Sequence, residues 1–243
     1  MPVYCITGTN RGIGLEFVRQ LAQIPDNIIF AGVRSLSSDL GDLEAITSKA
    51  PSVHILQLDV SSEDSIKGFV SFAGDILQEK NSTIDFLINS AGVNIASTHN
   101  SLNLVPENVH NQITINVLGP AQLTASLLGA GLLSNDVRIL NMTSGLGSAQ
   151  LSTENKPSKC AGYSISKTGL NMLSIHQSYD LKAHLPGVVV ILMDPGWVKT
   201  RLGGNGAEVE PKDSVGGMLN VLQGLKEEDN GVFFHFSGKR LPW

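Results

Sequence analysis

Short runs of β-branched and aliphatic residues recur along the chain, separated by longer, more polar stretches of helical character. The runs are Val3–Thr7, Ile28–Val33, Val53–Leu58, Ile84–Asn89, Val137–Thr143, Val188–Met193 and Val232–His235. Most are nearly continuous in apolar residues rather than alternating, as strands of a parallel sheet covered on both faces must be. Helices are expected near 12–24, 39–50, 62–80, 107–130, 161–184 and 212–226. Pro106-Glu107 suits a helix start, because proline is tolerated in a first turn. Ser61-Ser62-Glu63-Asp64 supplies the capping hydroxyls and acidic first turn of another. Strands alternating with helices predict an α/β fold: a doubly wound, mostly parallel sheet of about seven strands with helices on both faces. No repeat, low-complexity tract or polar linker interrupts the pattern, so residues 1–243 are expected to form one domain.

Composition narrows the function classes. Hydrophobic residues are 42% and charged residues 16% of the chain, enough apolar matter to bury a core and to exclude wholesale disorder. Against 17 Lys and Arg stand 22 Asp and Glu, a net charge of −5 that argues against nucleic acid or an anionic membrane as a partner. Cys5 and Cys160 are too few for a disulfide framework and read as free thiols of a reducing compartment. The first residues lack a basic region followed by a long apolar one, and no apolar run approaches the roughly 18 residues of a membrane helix. A cytoplasmic location is expected, and the Asn81 and Asn141 glycosylation-type triplets are then chance matches. The six histidines show no spacing suited to a metal site, so none is expected.

The first stretch with chemistry in it is Thr7-Gly8-Thr9-Asn10-Arg11-Gly12-Ile13-Gly14, between the first strand and the first helix. Glycines there allow a tight turn, close approach to a pyrophosphate and tight helix–strand packing, and the helix start offers free N–H groups. The spacing is G-x-x-x-G-x-G, without the Gly-Lys-Ser/Thr ending of a P-loop. Taken alone, three glycines are also ordinary loop punctuation. The second strand ends in Arg34-Ser35, where a dinucleotide fold usually places an acidic residue for the adenosine ribose. An arginine cannot accept ribose hydrogen bonds but pairs with a 2′-phosphate, and Arg11 in the glycine turn is placed to help. Otherwise both are solvated surface charges. Asp59-Val60 ends the third strand and Asn89-Ser90-Ala91-Gly92 the fourth, on the side where ligands bind in open α/β sheets. Asp59 reads equally well as a cap for the next helix.

The strongest signal is Tyr163-Ser164-Ile165-Ser166-Lys167, with tyrosine and lysine one helical turn apart on the same face. An adjacent ammonium favours the phenolate of a tyrosine, which has an ordinary pKa near 10. A Tyr/Lys stripe on a surface helix would look the same. Ser144 supplies a hydroxyl after the Val137–Met142 run and reads also as a turn-former. It sits in no G-x-S-x-G elbow, which disfavours a hydrolase.

In order along nearly the whole chain, the glycine turn, Asp59, Asn-x-Ala-Gly, Asn116-Val117, Ser144, Tyr163/Lys167 and Pro195-Gly196 resemble the short-chain dehydrogenase/reductase family. Asp194-Pro195-Gly196-Trp197-Val198-Lys199-Thr200, the short length and the long Ser144–Tyr163 gap look most like the C-factor/sniffer-type carbonyl reductases. The resemblance implies a single-domain Rossmann fold and an NADP-dependent oxidoreductase, a carbonyl reductase converting a ketone or aldehyde to an alcohol. It implies Tyr163 as proton donor, Lys167 as the group that tunes the tyrosine and holds the nicotinamide ribose, Ser144 as the substrate-oxygen partner, and Asn116, within the 107–130 helix, supporting a water that links Lys167 to solvent. It places the cofactor, NADP(H), against Gly8, Asn10, Arg11, Gly12, Ile13, Gly14, Arg34, Ser35, Asp59, Val60, Asn89, Ala91, Gly92, Tyr163, Lys167, Pro195, Gly196, Val198 and Thr200. The partner is then a small carbonyl or alcohol substrate. A homodimer through the 107–130 and 161–184 helices is open.

Two other classes stand beside the reductase: a non-catalytic NADP-binding regulatory or signalling protein, and an enzyme running another reaction on the same fold. The sequence departs from its relatives in Ser90, where many carry a second Asn, and in Arg201, where sniffer-type relatives often carry an acid. Substrate identity is expected in the loops 94–105, 145–160 and 200–214, the last bracketed by glycines as a lid would be. Trp197 reads as packing for that loop.

Overall fold

We describe residues 1–243 in a computed structural model of the chain. The strands are β1 (Val3–Thr7), β2 (Ile28–Val33), β3 (Val53–Gln57), β4 (Ile84–Asn89), β5 (Leu133–Met142), β6 (Val189–Asp194) and β7 (Phe233–His235). The helices are α1 (Gly12–Leu21), α2 (Gly41–Thr47), α3 (Glu63–Lys80), α4 (Pro106–Ile113), α5 (Gly119–Gly129), α6 (Ala149–Asn155), α7 (Ala161–Asp180) and α8 (Pro211–Gln223). The strands form one sheet in the order β3-β2-β1-β4-β5-β6-β7, and every pairing is parallel. The chain therefore has the doubly wound Rossmann-type α/β architecture.

The continuous apolar runs have their explanation in the two faces of this sheet. One face packs with α1, α2 and α8 in a core of 24 buried residues, including Ile6, Phe17, Ile29, Leu43, Ile191 and Met218. The other packs with α3 and α5 in a core of 21, including Phe30, Ile66, Phe69, Leu87, Leu127 and Val190, so neither face is left for water. Successive residues of a strand point to opposite cores, as the two-residue period requires.

Because all strands run the same way, every carboxyl end lies on one edge. The strand order reverses between β1 and β4, so the residues following Thr7 and Asn89 border the crevice in which such sheets bind ligands.

Three expectations need correction. The 107–130 segment is two α-helices separated by a π turn over Thr114–Leu118. Pro120 has no N–H to offer the carbonyl of Asn116 one turn earlier, so a regular α-ladder cannot pass through this point. β5 begins at Leu133 rather than near 137, because exposed Asn135 and Asp136 hide a strand that slips register between Leu133 and Arg138. The 145–160 region contains α6, capped by the Ser148 hydroxyl on the Leu151 amide at 3.0 Å, rather than loop alone.

Candidate active site

The glycine turn between β1 and α1 is closed by close approach. A Cβ on Gly8 would sit 2.9 Å from Cα of Ala91, and one on Gly14 would sit 2.2 Å from the Gly8 carbonyl. Neither position has room for a side chain, which accounts for two of the three glycines directly. The amides of Gly8 and Thr9 both donate to the Gly32 carbonyl, at 2.9 and 3.1 Å, and tie the turn to β2. The Thr7 hydroxyl accepts the Ala91 amide at 2.8 Å and ties β1 to the segment after β4. No side chain caps α1, and its first turn holds no carboxylate. Its leading N–H groups and positive dipole end are thus left for an anion.

Around this turn the charge is positive and unpaired. Arg11 has its pKa lowered by partial burial first and then by the nearby charges of Arg201 and Arg34. All three are exposed, and none takes part in any of the five ion pairs of the chain. Three guanidinium groups held together without a carboxylate form a receptor for a phosphate. Arg201 was not foreseen as a member. It arrives because Thr200 packs on the turn, its methyl 3.4 Å from where a Gly12 Cβ would be. Ser35, beside Arg34, bonds Ser37 at 2.8 Å and is half-buried.

The other cofactor candidates fall along this edge in different roles. Asp59 does not cap α3: its Oδ1 accepts from the amide and hydroxyl of Ser61 at 2.9 and 2.6 Å, and Ser62 is the cap. Val60 packs on the start of α5, 2.9 Å from a Cβ built on Gly119. Asn89 turns its amide inward to Asn141 at 2.8 Å, and Asn141 in turn donates to Ser174 and Gln177 of α7. Asn89 keeps its Oδ1 buried and without a partner, an acceptor beside its own backbone groups. Asn10 and Ile13 lie half-buried in the turn itself. Ala91 and Gly92 keep the floor of the crevice flat. Pro195 accepts the Ser214 hydroxyl at 2.7 Å, and Gly196 turns the chain at φ +76°.

From Trp197 onward the loop is stitched to itself. Val198 bridges Val209, the Trp197 indole donates to the Gly203 carbonyl at 2.7 Å, and Lys199 pairs with Glu210 at 2.5 Å. Trp197 lies over Gly206 and packs the loop, as its sequence context suggested.

Ser144, Tyr163, Lys167 and Asn116 converge between β5, α7 and the π turn. Tyr163 and Lys167 stand one turn apart on α7, with the ammonium nitrogen 5.6 Å from the centre of the phenol ring. Lys167 is buried and donates to the Met142 carbonyl at 2.7 Å, leaving two of its three donors free. A Cβ on Gly92 would lie 3.6 Å from that nitrogen and 3.3 Å from Oδ1 of Asn116, so the crevice floor and the lysine adjoin. Asn116 accepts the Val93 amide at 2.8 Å and donates to the Val93 carbonyl and the Ser166 hydroxyl, both at 2.9 Å. Its side chain is fully used. Its backbone carbonyl is the one that Pro120 deprives of an α-helical partner. Gln112, one turn earlier, accepts the Ile95 amide at 3.1 Å, and this pairing of two carboxamides with one loop was missed in the sequence.

The electrostatics correct one argument. The sequence reading weighed only the ammonium beside Tyr163, but in the folded chain the phenol is pushed up. Burial is the main cause, with the charges of Asp194 and Cys160 adding to it and the Ser144 hydroxyl opposing it. Burial also lowers Lys167 from 10.5 to about 7. A phenol that keeps its proton at neutral pH can give it away, and Ser144 is placed to stabilise the charge that then develops.

The short chain dehydrogenase family profile matches residues 2–210. The C-signal protein of Myxococcus xanthus is 38% identical over 162 residues, covering 66% of this chain and 93% of that one. An NADPH-bound carbonyl reductase from chicken fatty liver superposes with a TM-score of 0.90 at 32% identity, over 100% of both chains. The carbonyl reductase Sniffer of Drosophila melanogaster gives 0.87 at 25%, over 100% of this chain and 99% of that one. A phosphate cradle closed by two obligatory glycines, a Tyr/Lys pair on the helix facing it and a family profile over most of the chain lead to one conclusion: this protein belongs to the short-chain dehydrogenase family of oxidoreductases, most like its sniffer-type members.

Proposed function

We propose that the protein is an NADPH-dependent carbonyl reductase that converts a ketone or aldehyde to an alcohol, with Tyr163 as the proton donor. One observation carries this reading: a buried phenol stands beside the Ser144 hydroxyl and the Lys167 amine, at the crevice whose far end is the glycine turn. The residues fit a dinucleotide phosphate. The turn leaves no space for a side chain at Gly8 or Gly14, the α1 amides are uncapped, and Arg11, Arg34 and Arg201 lack carboxylates. The NADPH-bound chicken liver enzyme supports the same choice of cofactor.

A bound nicotinamide supplies the hydride. Arg11, Arg34 and Arg201 hold the adenosine phosphate end, and the free donors of Lys167 hold the ribose beside the crevice floor. Ser144 and Tyr163 bracket the carbonyl oxygen of the substrate and donate to it as negative charge accumulates. Tyr163 then passes over its proton, and Ser144 and Lys167 stabilise the phenolate that remains until solvent restores it. The stitched loop 200–214 acts as a lid moving as one body over the site, which residues 1–243 build as a single domain of cytoplasmic type.

The test is loss of NADPH absorbance with a panel of quinones, isatins and aliphatic ketones, run in parallel with NADH. Turnover of at least one carbonyl class with NADPH is expected. Tight cofactor binding with no turnover of any class would instead identify a regulatory nucleotide sensor.

A further inference from the structure

The last residue of β6 is Asp194, and its side chain emerges on the carboxyl edge beside Ser144 and Tyr163. None of the roles assigned above uses it. Its Oδ1 accepts the Gly196 amide at 3.1 Å. Its Oδ2 lies against Gly145, the residue after Ser144, at 3.2 Å from a Cβ built there. The backbone is fixed in place, because the Asp194 carbonyl accepts the Phe236 amide at 2.9 Å and its Cα is in register with His235 of β7. No lysine or arginine forms an ion pair with the carboxyl. The amides of Gly145 and Gly196 offset part of the cost of burying the carboxyl, and with no lysine or arginine on it the remaining lone pairs can still take a donor.

We propose that Asp194 determines substrate specificity at the carbonyl site: it accepts a hydrogen bond or ion pair from an ammonium or hydroxyl on the carbon next to the reacting carbonyl, and it excludes substrates bearing a carboxylate there. This inference rests on the reductase reading of the same site. Ser144 and Tyr163 fix the position of the carbonyl oxygen; Asp194 adjoins Ser144 through Gly145 and its charge reaches the Tyr163 phenol, so the group it meets is attached close to the carbonyl carbon. α-Amino and α-hydroxy ketones are then the favoured class and α-keto acids the rejected one. A site that offers a charged acceptor to a substrate donor favours it over analogues lacking that donor and repels a like charge.

A second effect follows from the same neighbourhood. The charged and titratable groups facing the Tyr163 phenol are Asp194 from β6, Cys160 at the start of α7 and Lys167 on α7 itself, while His235 of β7 and the amides of Gly145 and Gly196 face Asp194. The Asp194 charge disfavours the phenolate and so keeps Tyr163 in its acid form to higher pH.

The experiment compares kcat/KM with NADPH for three matched phenyl ketones: 2-amino-1-phenylethanone, propiophenone and phenylglyoxylate. The wild-type protein is expected to rank them ammonium, neutral, carboxylate, with roughly tenfold or more between the ends. Asp194→Asn should narrow that spread by about tenfold and move the alkaline fall of the rate to lower pH. A wild type that does not separate the ammonium from the carboxylate, or an Asp194→Asn variant that folds and binds NADPH yet keeps the full spread, overturns the inference. Should Asp194→Asn fail to fold, Asp194→Ser and the wild-type ranking decide it. A protein that reduces none of the three loses the underlying reductase reading together with this inference, whereas a reductase blind to charge loses this inference alone.

Discussion

Arg34 stands where a dinucleotide fold that prefers NADH would need a carboxylate, and the structure sets it near Arg11, itself beside Arg201, with no ion pair to an acid. Charge-assisted hydrogen bonds contribute about 1.5–3 kcal/mol, so one good contact to a 2′-phosphate gives roughly a 10- to 150-fold preference for NADPH. Arg34→Asp removes the attraction, adds repulsion and supplies a ribose acceptor. The ratio of kcat/KM for the two cofactors is expected to collapse or invert, while the rate at saturating cofactor changes little. Arg34 and Arg11 were legible because each is tied to a position fixed by local pattern, the end of a strand and the glycine turn. Arg201 was legible only as a departure from relatives, since its proximity depends on how Thr200 packs against Gly12. Asp194 was hidden for the same reason: a residue preceding Pro-Gly reads as a turn, and nothing local says that it faces Ser144 and Tyr163.

Helix α7, expected from the sequence and carrying its strongest signal, packs through a polar buried face. Ser166, Lys167, Asn171, Ser174 and Gln177 are all buried, so the helix packs through hydrogen bonds to Asn116, Thr143, Gly147 and Asn141 rather than through an apolar stripe. Apolar periodicity found the strands and the helices that fill the two cores. It did not find the π turn, although Pro120 carried the signal, because the surrounding residues are helix-compatible on both sides. The loop 200–214 supplies the prediction at this scale. Stitched to itself through Val198, Trp197 and Lys199 and resting on the glycine turn through Thr200, it is expected to move as a unit about its ends. Added NADPH should slow amide hydrogen exchange across it, because the cofactor phosphates engage Arg201. Exchange rates equal in free and bound protein would make it an ordinary surface loop.

At the scale of the whole molecule, the doubly wound sheet was legible because seven apolar runs all needed two covering layers, and a parallel sheet is the arrangement that provides them. What that burial does to the site was less legible. Lys167, lowered from 10.5 to about 7, holds fewer protons folded than unfolded across that interval. Stability therefore rises with pH between about 7 and 10.5, by an order of 1 kcal/mol per pH unit at most, and is not gained below 7, where both states are protonated. Lys167→Met is expected to flatten this rise in urea midpoints measured across the interval. An unchanged slope would assign it to other groups.

The most direct test of the account follows the hydride and the proton together. NADPH carrying deuterium at the transferable position is mixed with a ketone that the wild-type protein reduces, and product and rate are compared for wild type and Tyr163→Phe. The account predicts deuterium on the carbinol carbon. It also predicts a rate about 10²–10⁴-fold lower in the variant, with NADPH affinity changed no more than a few-fold, because the phenylalanine keeps the ring and loses only the transferable proton. An alcohol without deuterium, or a Tyr163→Phe variant turning over at the wild-type rate, would contradict it.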